Sequence, residues 1–176
     1  TFGKDRSVLR EVSFSVDREE AVALIGSNGA GKSTALRCAL RLIEPEAGSV
    51  LLFGEDISTA RQRQLRRVRA EVGFVFQKHN LVPRVSALTN VIHGNLGRTG
   101  GMRGWSQFLA KTALRDRAMA CLERVGLADH ALKRADQLSG GQSQRVAIAR
   151  ALMQQPRMIV ADEPVASLDP VAGQEV

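Results

Sequence analysis

The fold is decided by the stretch Gly26-Ser27-Asn28-Gly29-Ala30-Gly31-Lys32-Ser33-Thr34, which directly follows the apolar run at residues 21–25. This pattern is that of a phosphate-binding loop, which joins a strand to a helix. Its glycines let backbone N–H groups turn inward around phosphate oxygens, and a helix that begins near Lys32 directs its positive end at the same anion. A simple glycine-rich turn is the alternative, and the preceding apolar strand disfavours it. The stretch therefore predicts a nucleotide site.

Three side chains of this loop have distinct predicted roles. Lys32 supplies a mobile positive charge for the β- and γ-phosphates. The Ser33 hydroxyl is a ligand for Mg²⁺, and the Thr34 hydroxyl donates to a phosphate oxygen nearer the sugar. The sequence thus predicts a nucleotide bound together with Mg²⁺.

Short apolar runs elsewhere in the chain predict further β-strands, at residues 50–53, 72–76 and 158–161. The runs at 21–25 and 158–161 are almost continuously apolar rather than alternating, as a strand covered by helices on both faces requires. Aromatic residues make up only 4% of the chain, so aliphatic side chains must build the core. The fold class is therefore predicted to be α/β, with a mostly parallel sheet flanked by helices.

Helical spacing of apolar residues replaces the strand-like runs in the middle of the chain, most clearly between positions 109 and 125. The glycine-rich segment 94–104 predicts an exposed loop, and Gly126 predicts a helix end. We predict a single domain over residues 1–176, with a nucleotide-binding core at 1–77 and 138–176 and a helical subdomain at 78–137.

The strand at 158–161 delivers two carboxylates, Asp162 and Glu163, at its C-terminal end, where parallel sheets place their ligands. Asp162 suits the Mg²⁺ shell. Glu163 suits the polarisation of the water that attacks the γ-phosphate, because phosphoryl transfer needs positioning and charge stabilisation more than covalent chemistry. An acidic pair after a strand is usually a solvated loop, but the phosphate-binding loop upstream favours the functional interpretation.

A second anion site is predicted where Leu138-Ser139-Gly140-Gly141-Gln142, the signature segment, opens a strongly helix-forming run. A serine hydroxyl and bare backbone amides at a helix N-terminus attract an anion. An ordinary serine-capped helix is the alternative, and it explains Ser139 but not the whole set.

With this segment between a phosphate-binding loop and an acidic strand end, the chain resembles the ABC transporter ATPases over nearly its whole length. The resemblance implies that Gln77 contacts Mg²⁺ and the attacking water and reports to a membrane subunit. It implies that Asp169 lies at a dimer contact and that Phe2 stacks on adenine, a core position being the alternative for Phe2. The implied cofactors are ATP and Mg²⁺, the implied catalytic residues are Glu163, Gln77 and Lys32, and the implied metal ligands are Ser33, Gln77 and Asp162.

The same resemblance implies partners and a location. Two copies face each other head to tail, so that each ATP lies between the phosphate-binding loop of one copy and the signature segment of the other. The homodimer acts on transmembrane permease subunits at the cytoplasmic face of the cell membrane, where it is peripheral. A periplasmic or lipoprotein substrate-binding protein acts with it indirectly.

Residues 77–83, 86–91 and 162–170 are similar to the corresponding segments of phosphonate-import ATPases, a similarity that extends to Trp105 and residues 134–138. Ser143 departs from the glutamine that commonly follows the signature segment, a change expected to be tolerated on an exposed helix turn. The implied function is an ATPase that powers import of phosphonate or a related phosphorus oxyanion. Alternatives are an ABC ATPase for another cargo, a soluble ABC ATPase acting on nucleic acid or ribosomes, and a nucleotide-gated binding module without turnover.

The resemblance also implies a switch histidine well beyond Glu163, past the end of the printed sequence. We therefore expect a domain that is incomplete at both ends and residues 1–176 that hydrolyse ATP poorly by themselves. The three histidines of the chain, His79, His93 and His130, precede the acidic strand, and surface or partner-facing positions are expected for them.

The formal net charge of +7 suits a polyanionic partner. A run of arginines contributes to it, at positions 61, 63, 66, 67 and 69. A solvated helix face is the preferred interpretation and no nucleic-acid partner is expected, because aromatic residues for base stacking are scarce. Cys38 and Cys121 lack metal-site spacing and predict buried free thiols.

Overall fold

The computed structural model describes residues 8–99 and 110–163. The chain divides into two compact units, Thr1–Ala60 and Arg61–Val176. None of the helices in the described ranges is both long enough and apolar enough to cross a bilayer.

The first unit contains one helix and one hairpin. Helix α1 is Lys32–Ala39, and strands β1 (Leu51–Leu52) and β2 (Glu55–Asp56) pair antiparallel. The two residues between the strands, Phe53 and Gly54, both have positive φ angles, of 54° and 81°. Two positive φ angles in a two-residue loop define the tight turn whose twist matches that of the flanking strands. The turn chemistry therefore explains a hairpin that hydrophobic patterning alone does not reveal.

The second unit is built from five helices and a parallel strand pair in the part described. Strand β3 (Val72–Val75) lies beside β4 (Met158–Ala161), with Val72 opposite Met158 and Val75 opposite Ala161. Helix α6 (Gly140–Met153) packs on this pair, where Ala147 and Ala151 contact Val75. The other helices are α2 (Gln62–Arg69), α3 (Ala87–His93), α4 (Leu96–Thr99) and α5 (Thr112–Arg124), with short 3₁₀ turns at Ala128–His130 and Ala135–Gln137.

Helices α3, α5 and α6 pack together around the main hydrophobic core of this unit. Helices α3 and α6 cross so closely that a Cβ on Gly94 would overlap the carbonyl oxygen of Arg150. Helix α5 is terminated by Gly126, which lies two residues after the last helical residue and has a φ of 66°, and the N–H of Leu127 donates to the Leu122 carbonyl at 2.9 Å. This is the Schellman pattern of a glycine-terminated helix. The predicted helix end at Gly126 is confirmed.

A buried asparagine fixes the loop that leads into α3. Asn90 has no exposed surface, and its amide oxygen accepts from the Val82 N–H at 2.8 Å. Its amide nitrogen donates to the carbonyls of Val82 and Ser86, each at 3.1 Å. Because buried polar groups are costly unless they are hydrogen-bonded, this set of bonds holds residues 82–86 in one conformation.

Several predictions about strands and loops can be compared with the structure. The strands at 72–76 and 158–161 are confirmed within a residue. The strand at 50–53 is present but short, and it belongs to a hairpin rather than to a parallel sheet. The prediction of a strand at 21–25 is wrong, because these residues form no β-ladder with another strand and Ile25 is 94% exposed. An apolar run becomes a strand only where a neighbouring backbone pairs with it.

The predicted exposed loop at 94–104 is wrong in its first half. Residues Leu96–Thr99 form α4, which packs against α2. Gly97 lies beside Ala70, the C-cap of α2. Helix α2 carries the arginine run with Leu65 and Val68 buried and Arg63, Arg66 and Arg67 exposed, in agreement with a solvated helix face.

The two thiols differ in environment. Cys121 is buried, and burial raises the pKa of its thiol. Cys38 is half-buried, so the prediction that both thiols are buried is correct for Cys121 and too strong for Cys38. Burial also raises the pKa of Cys38, and both thiols are therefore less reactive than an exposed cysteine.

Candidate functional site

The phosphate-binding loop lies at the start of α1 in the first unit. Gly29 and Gly31 have φ angles of 84° and 92°, in the left-handed region that glycine tolerates. A Cβ at Gly31 would also lie 3.0 Å from a Leu9 methyl, so the neighbouring side chain would have to shift as well. Helix α1 begins at Lys32, as the sequence predicts. The N-terminal amides of α1 thus follow the left-handed turn that anion-binding loops use.

Lys32 folds back over the beginning of this loop. Its Nζ donates to the carbonyl of Gly26 at 2.8 Å and to that of Ser27 at 3.0 Å. These bonds hold the ammonium group over the loop whose amides start the helix. The charge that would neutralise a phosphate is therefore placed before any ligand arrives.

The acidic strand end lies in the second unit. Asp162 directly follows β4, is 1% exposed, and donates its N–H to the Val75 carbonyl at 2.9 Å. Glu163 comes next and has a φ of 50°, in the left-handed region. A left-handed residue that is not glycine is costly, and such residues cluster at functional sites.

Gln77 and Glu163 are brought together across the strand pair. The Gln77 Nε2 donates to the Glu163 Oε2 at 2.7 Å, although the two residues are 86 positions apart. The reason is that β3 and β4 run parallel, so the residues that follow them leave the same edge of the sheet. A carboxylate and an amide oriented by one another are thus placed beside the buried Asp162.

The signature segment forms the N-terminus of α6. Ser139 is the N-cap, its Oγ accepts from the Gln142 N–H at 3.2 Å, and the Gln142 Oε1 accepts from the Ser139 N–H at 3.0 Å. This reciprocal pair is a capping box, which fixes the first turn of a helix. Gly140 and Gly141 occupy that first turn, where backbone N–H groups have no partner within the helix. The segment therefore has the form of an anion site.

One residue of the site was missed by the sequence analysis. Arg150 of α6 donates from Nη1 to the Asn80 carbonyl at 2.7 Å and from Nη2 to the His79 carbonyl at 2.6 Å. Burial lowers the pKa of the Arg150 guanidinium, which shows how far it has been withdrawn from water. The available signal was its position, four residues after the buried Val146 on an otherwise apolar helix face.

Arg150 ties the loop after Gln77 to the helix that begins at the signature segment. The two carbonyls that it binds belong to His79 and Asn80, whose φ angles of 51° and 49° are left-handed. Burial lowers the pKa of His79, and the nearby Arg150 charge lowers it further, so the imidazole is favoured in its neutral form. The three histidines are half-buried, so the surface positions expected for them are only partly correct.

We expect Arg150→Ala to destabilise the second unit by about 2–4 kcal/mol. Two charged hydrogen bonds are lost, and the left-handed backbone at His79 and Asn80 is no longer held by them. Chemical denaturation measures the change in unfolding free energy. Arg150→Lys is the matched control, since it keeps the charge but has no planar fork to reach both carbonyls. A lysine variant as stable as the parent would contradict the two-carbonyl role, and so would an alanine variant with unchanged stability.

Some predicted site residues fall outside the part of the chain that the structure describes. These are Phe2 and Asp169. Trp105, to which the similarity to phosphonate-import ATPases extends, also lies outside the described residues. Within residues 8–99 and 110–163, the side chains of histidine, cysteine, aspartate and glutamate form no cluster of three or more that could hold a metal ion. Any divalent ion at this site would therefore need ligands of other types as well.

Comparison with known proteins gives consistent matches. The family model described as ABC transporter matches residues 9–166. The phosphonates import ATP-binding protein PhnC of Nitratidesulfovibrio vulgaris is 48% identical over 98% of the chain and 65% of its own length. The corresponding PhnC 2 of Halalkalibacterium halodurans is 49% identical over 96% of the chain and 68% of its own length. The chain thus spans about two thirds of the length of these curated relatives.

Solved structures give the same result for the fold. The dimeric bacterial ABC transporter cassette MJ0796 aligns with a TM-score of 0.84 and 36% identity. The alignment covers 96% of the present chain and 71% of the length of the MJ0796 chain. A post-hydrolysis dimer of the same cassette, bound to ADP and Pi, aligns with a TM-score of 0.83. The predicted α/β fold, with a phosphate-binding loop core and a helical part, is confirmed.

Proposed function

The chain belongs to the ABC transporter family, and on that premise we propose that it is the ATP-binding and hydrolysing subunit of an importer for phosphonate or a related phosphorus oxyanion. The hydrolytic part of the proposal rests on one observation, the 2.7 Å hydrogen bond between Gln77 and Glu163 next to the buried Asp162. The cargo is supported by relatives at 48% and 49% identity that are named as phosphonates import proteins.

The residues present fit ATP with Mg²⁺. The triphosphate would lie on the amides of the loop, with Lys32 as its cation. Mg²⁺ prefers oxygen ligands and retains several waters, so a hydroxyl, an amide oxygen and a carboxylate are a suitable protein contribution. We assign these ligands to Ser33, Gln77 and Asp162, and we assign adenine stacking to Phe2. The remaining nucleotide contacts are assigned to Gly26, Ser27, Asn28, Gly29, Ala30, Gly31 and Thr34.

Hydrolysis requires a water aligned with the γ-phosphate and a group that accepts its proton. Glu163 is the proposed acceptor, because its carboxylate follows β4 and is held by the Gln77 amide. Gln77 would fix the orientation of that carboxylate and sense the γ-phosphate at the same time. Bound Mg²⁺ would supply charge neutralisation for the transferred phosphoryl group.

A second copy of the chain is proposed to complete the site. The capped first turn of α6, with Ser139, Gly140, Gly141 and Gln142, has backbone amides that can bind an anion. In a head-to-tail homodimer these amides would bind the nucleotide of the partner, with Asp169 at the contact. The cassette MJ0796, solved as a dimer bound to ADP and Pi, supports the formation of a dimer.

The membrane partner is proposed to contact the region after Gln77. A cavity of about 300 Å³ lies there, between the loop containing Lys78, His79 and Pro83 and the segment containing Asp136 and Ser143. Lys78, which directly follows Gln77, lines this cavity. We propose residues 78–137 as the helical subdomain that meets the permease at the cytoplasmic face, with 1–77 and 138–176 as the nucleotide-binding core.

The decisive experiment combines the full-length gene product with its permease subunits and substrate-binding protein in proteoliposomes. We expect the ATPase rate to rise by about tenfold or more when a phosphonate is added. Cargo binding would favour closure of the ATPase dimer, and the closed dimer is the form proposed to hydrolyse ATP. Phosphite and phosphate serve as comparison cargoes. If no phosphorus oxyanion stimulates the ATPase, the proposed cargo is wrong. If no ATPase activity appears under any condition, the proposed hydrolytic function is wrong.

A further inference from the structure

A histidine contacts the capping box of the signature segment. His130 ends the 3₁₀ turn Ala128–His130, is half-buried, and places its Nε2 at 3.2 Å from the Nε2 of Gln142. Its backbone is held on both sides, by bonds to Leu127 at 3.1 Å and from Lys133 at 3.0 Å. The imidazole is therefore carried by a rigid turn that follows the glycine end of α5.

The hydrogen-bond pattern assigns the proton on this histidine. The Gln142 Oε1 already accepts from the Ser139 N–H at 3.0 Å, so the amide NH₂ of Gln142 is the group that faces His130. An amide NH₂ can only donate, and the imidazole Nε2 must then be the acceptor. The contact therefore requires the tautomer in which Nδ1 carries the proton and Nε2 can accept.

We propose that His130 is a positioning residue for the signature segment. By accepting from Gln142, it fixes the amide that closes the capping box on Ser139. The two glycines in the first turn of α6 have the greatest freedom to fray, so a fixed box keeps their N–H groups aimed at one point. This inference rests on the proposed function, in which that point is the nucleotide of the second copy.

The test uses the full-length protein in a Glu163→Gln background, in which slow hydrolysis keeps an ATP dimer together. Light scattering gives the Mg-ATP concentration at which half the protein is dimeric, and a fluorescent ATP analogue gives the affinity of the monomer. We expect His130→Ala to raise the dimerisation midpoint by about 3- to 10-fold, the effect of one lost hydrogen bond. Affinity at the phosphate-binding loop of the monomer stays unchanged, which a general loss of folding would not produce.

Two conservative variants isolate the acceptor. His130→Gln places an oxygen where Nε2 lies and should restore the parent midpoint, whereas His130→Asn places its oxygen at the level of Nδ1 and should not. Leu132→Ala is a matched control two residues beyond His130, because this side chain is 74% exposed. Its midpoint should equal that of the parent.

The outcomes separate the two proposals. A parent that does not dimerise with Mg-ATP overturns the proposed function. A parent that dimerises, with His130→Ala at the same midpoint, overturns the positioning role alone. If His130→Ala fails to fold, the test relies on His130→Gln and His130→Asn. Equal dimerisation midpoints for these two variants would overturn the assignment of Nε2 as the acceptor.

Discussion

Glu163→Gln is expected to lower the ATPase rate of the full-length protein by about 10²- to 10⁴-fold, the range attributed to a positioned general base. The substitution replaces a carboxylate by an amide of the same shape. The amide oxygen that it introduces can still accept from the Gln77 Nε2, which now lies at 2.7 Å from a carboxylate oxygen. The geometry is therefore retained while the capacity to take a proton from water is removed.

Nucleotide binding and turnover should separate in this variant. Single-turnover hydrolysis and equilibrium binding of ATP, measured on the same preparation, give the two quantities. Glu71→Gln is the matched control, because Glu71 precedes β3 and pairs with Arg157 at 3.0 Å on the surface. Exposed ion pairs contribute about 0–1 kcal/mol, so this control should hydrolyse ATP at the parent rate. An active Glu163→Gln variant would remove Glu163 from its proposed role.

The contact that carries this prediction could be anticipated in part from the sequence. The runs ending near Val75 and Ala161 are short and apolar, and the carboxyl ends of parallel strands share one edge. Gln77 and Glu163 follow those ends, so their proximity is a consequence of strand order. The 2.7 Å hydrogen bond itself depends on backbone angles that the sequence does not reveal, such as the left-handed φ of Glu163.

Arg150 and His130 could not be found in the same way. Arg150 binds two backbone carbonyls, and a carbonyl acceptor has no residue type that would mark it in a sequence. His130 contacts the side chain of Gln142 because a glycine-terminated helix and a 3₁₀ turn place it there. Both contacts result from tertiary packing of loops, which local patterns do not encode.

The two errors in predicted secondary structure arise where a local pattern was present but did not decide the structure. Residues 21–25 are apolar enough for a buried strand, but an apolar run gives only the capacity to pair, and they form no ladder. Residues Leu96–Thr99 lie in a glycine-rich stretch that favours a loop, but they form the short helix α4, which packs against α2. In both places tertiary context overrides local propensity.

Lys32→Ala is expected to weaken ATP binding by about 10- to 100-fold, since one charged hydrogen bond contributes about 1.5–3 kcal/mol. Turnover should fall by a further factor of about 10²–10³, the cost of removing a preorganised donor from a transition state with developing charge. These losses of binding and turnover should be larger than any loss of stability in the variant. The bonds from Nζ to the Gly26 and Ser27 carbonyls lie in an exposed part of the loop. Because water competes for these exposed groups, loss of the bonds is expected to change the free energy of unfolding by only about 0.5–1.5 kcal/mol.

Isothermal titration with an ATP analogue and steady-state kinetics measure the two losses, and thermal unfolding checks the fold. Lys111→Ala is the control, because Lys111 is exposed at the N-cap of α5 and its side chain makes no capping hydrogen bond. If both variants bound ATP equally well, the ammonium of Lys32 would not be the cation of the phosphate site. The bonds to Gly26 and Ser27 would then serve only to shape the loop, and phosphate binding would depend on the backbone amides and the start of α1 alone.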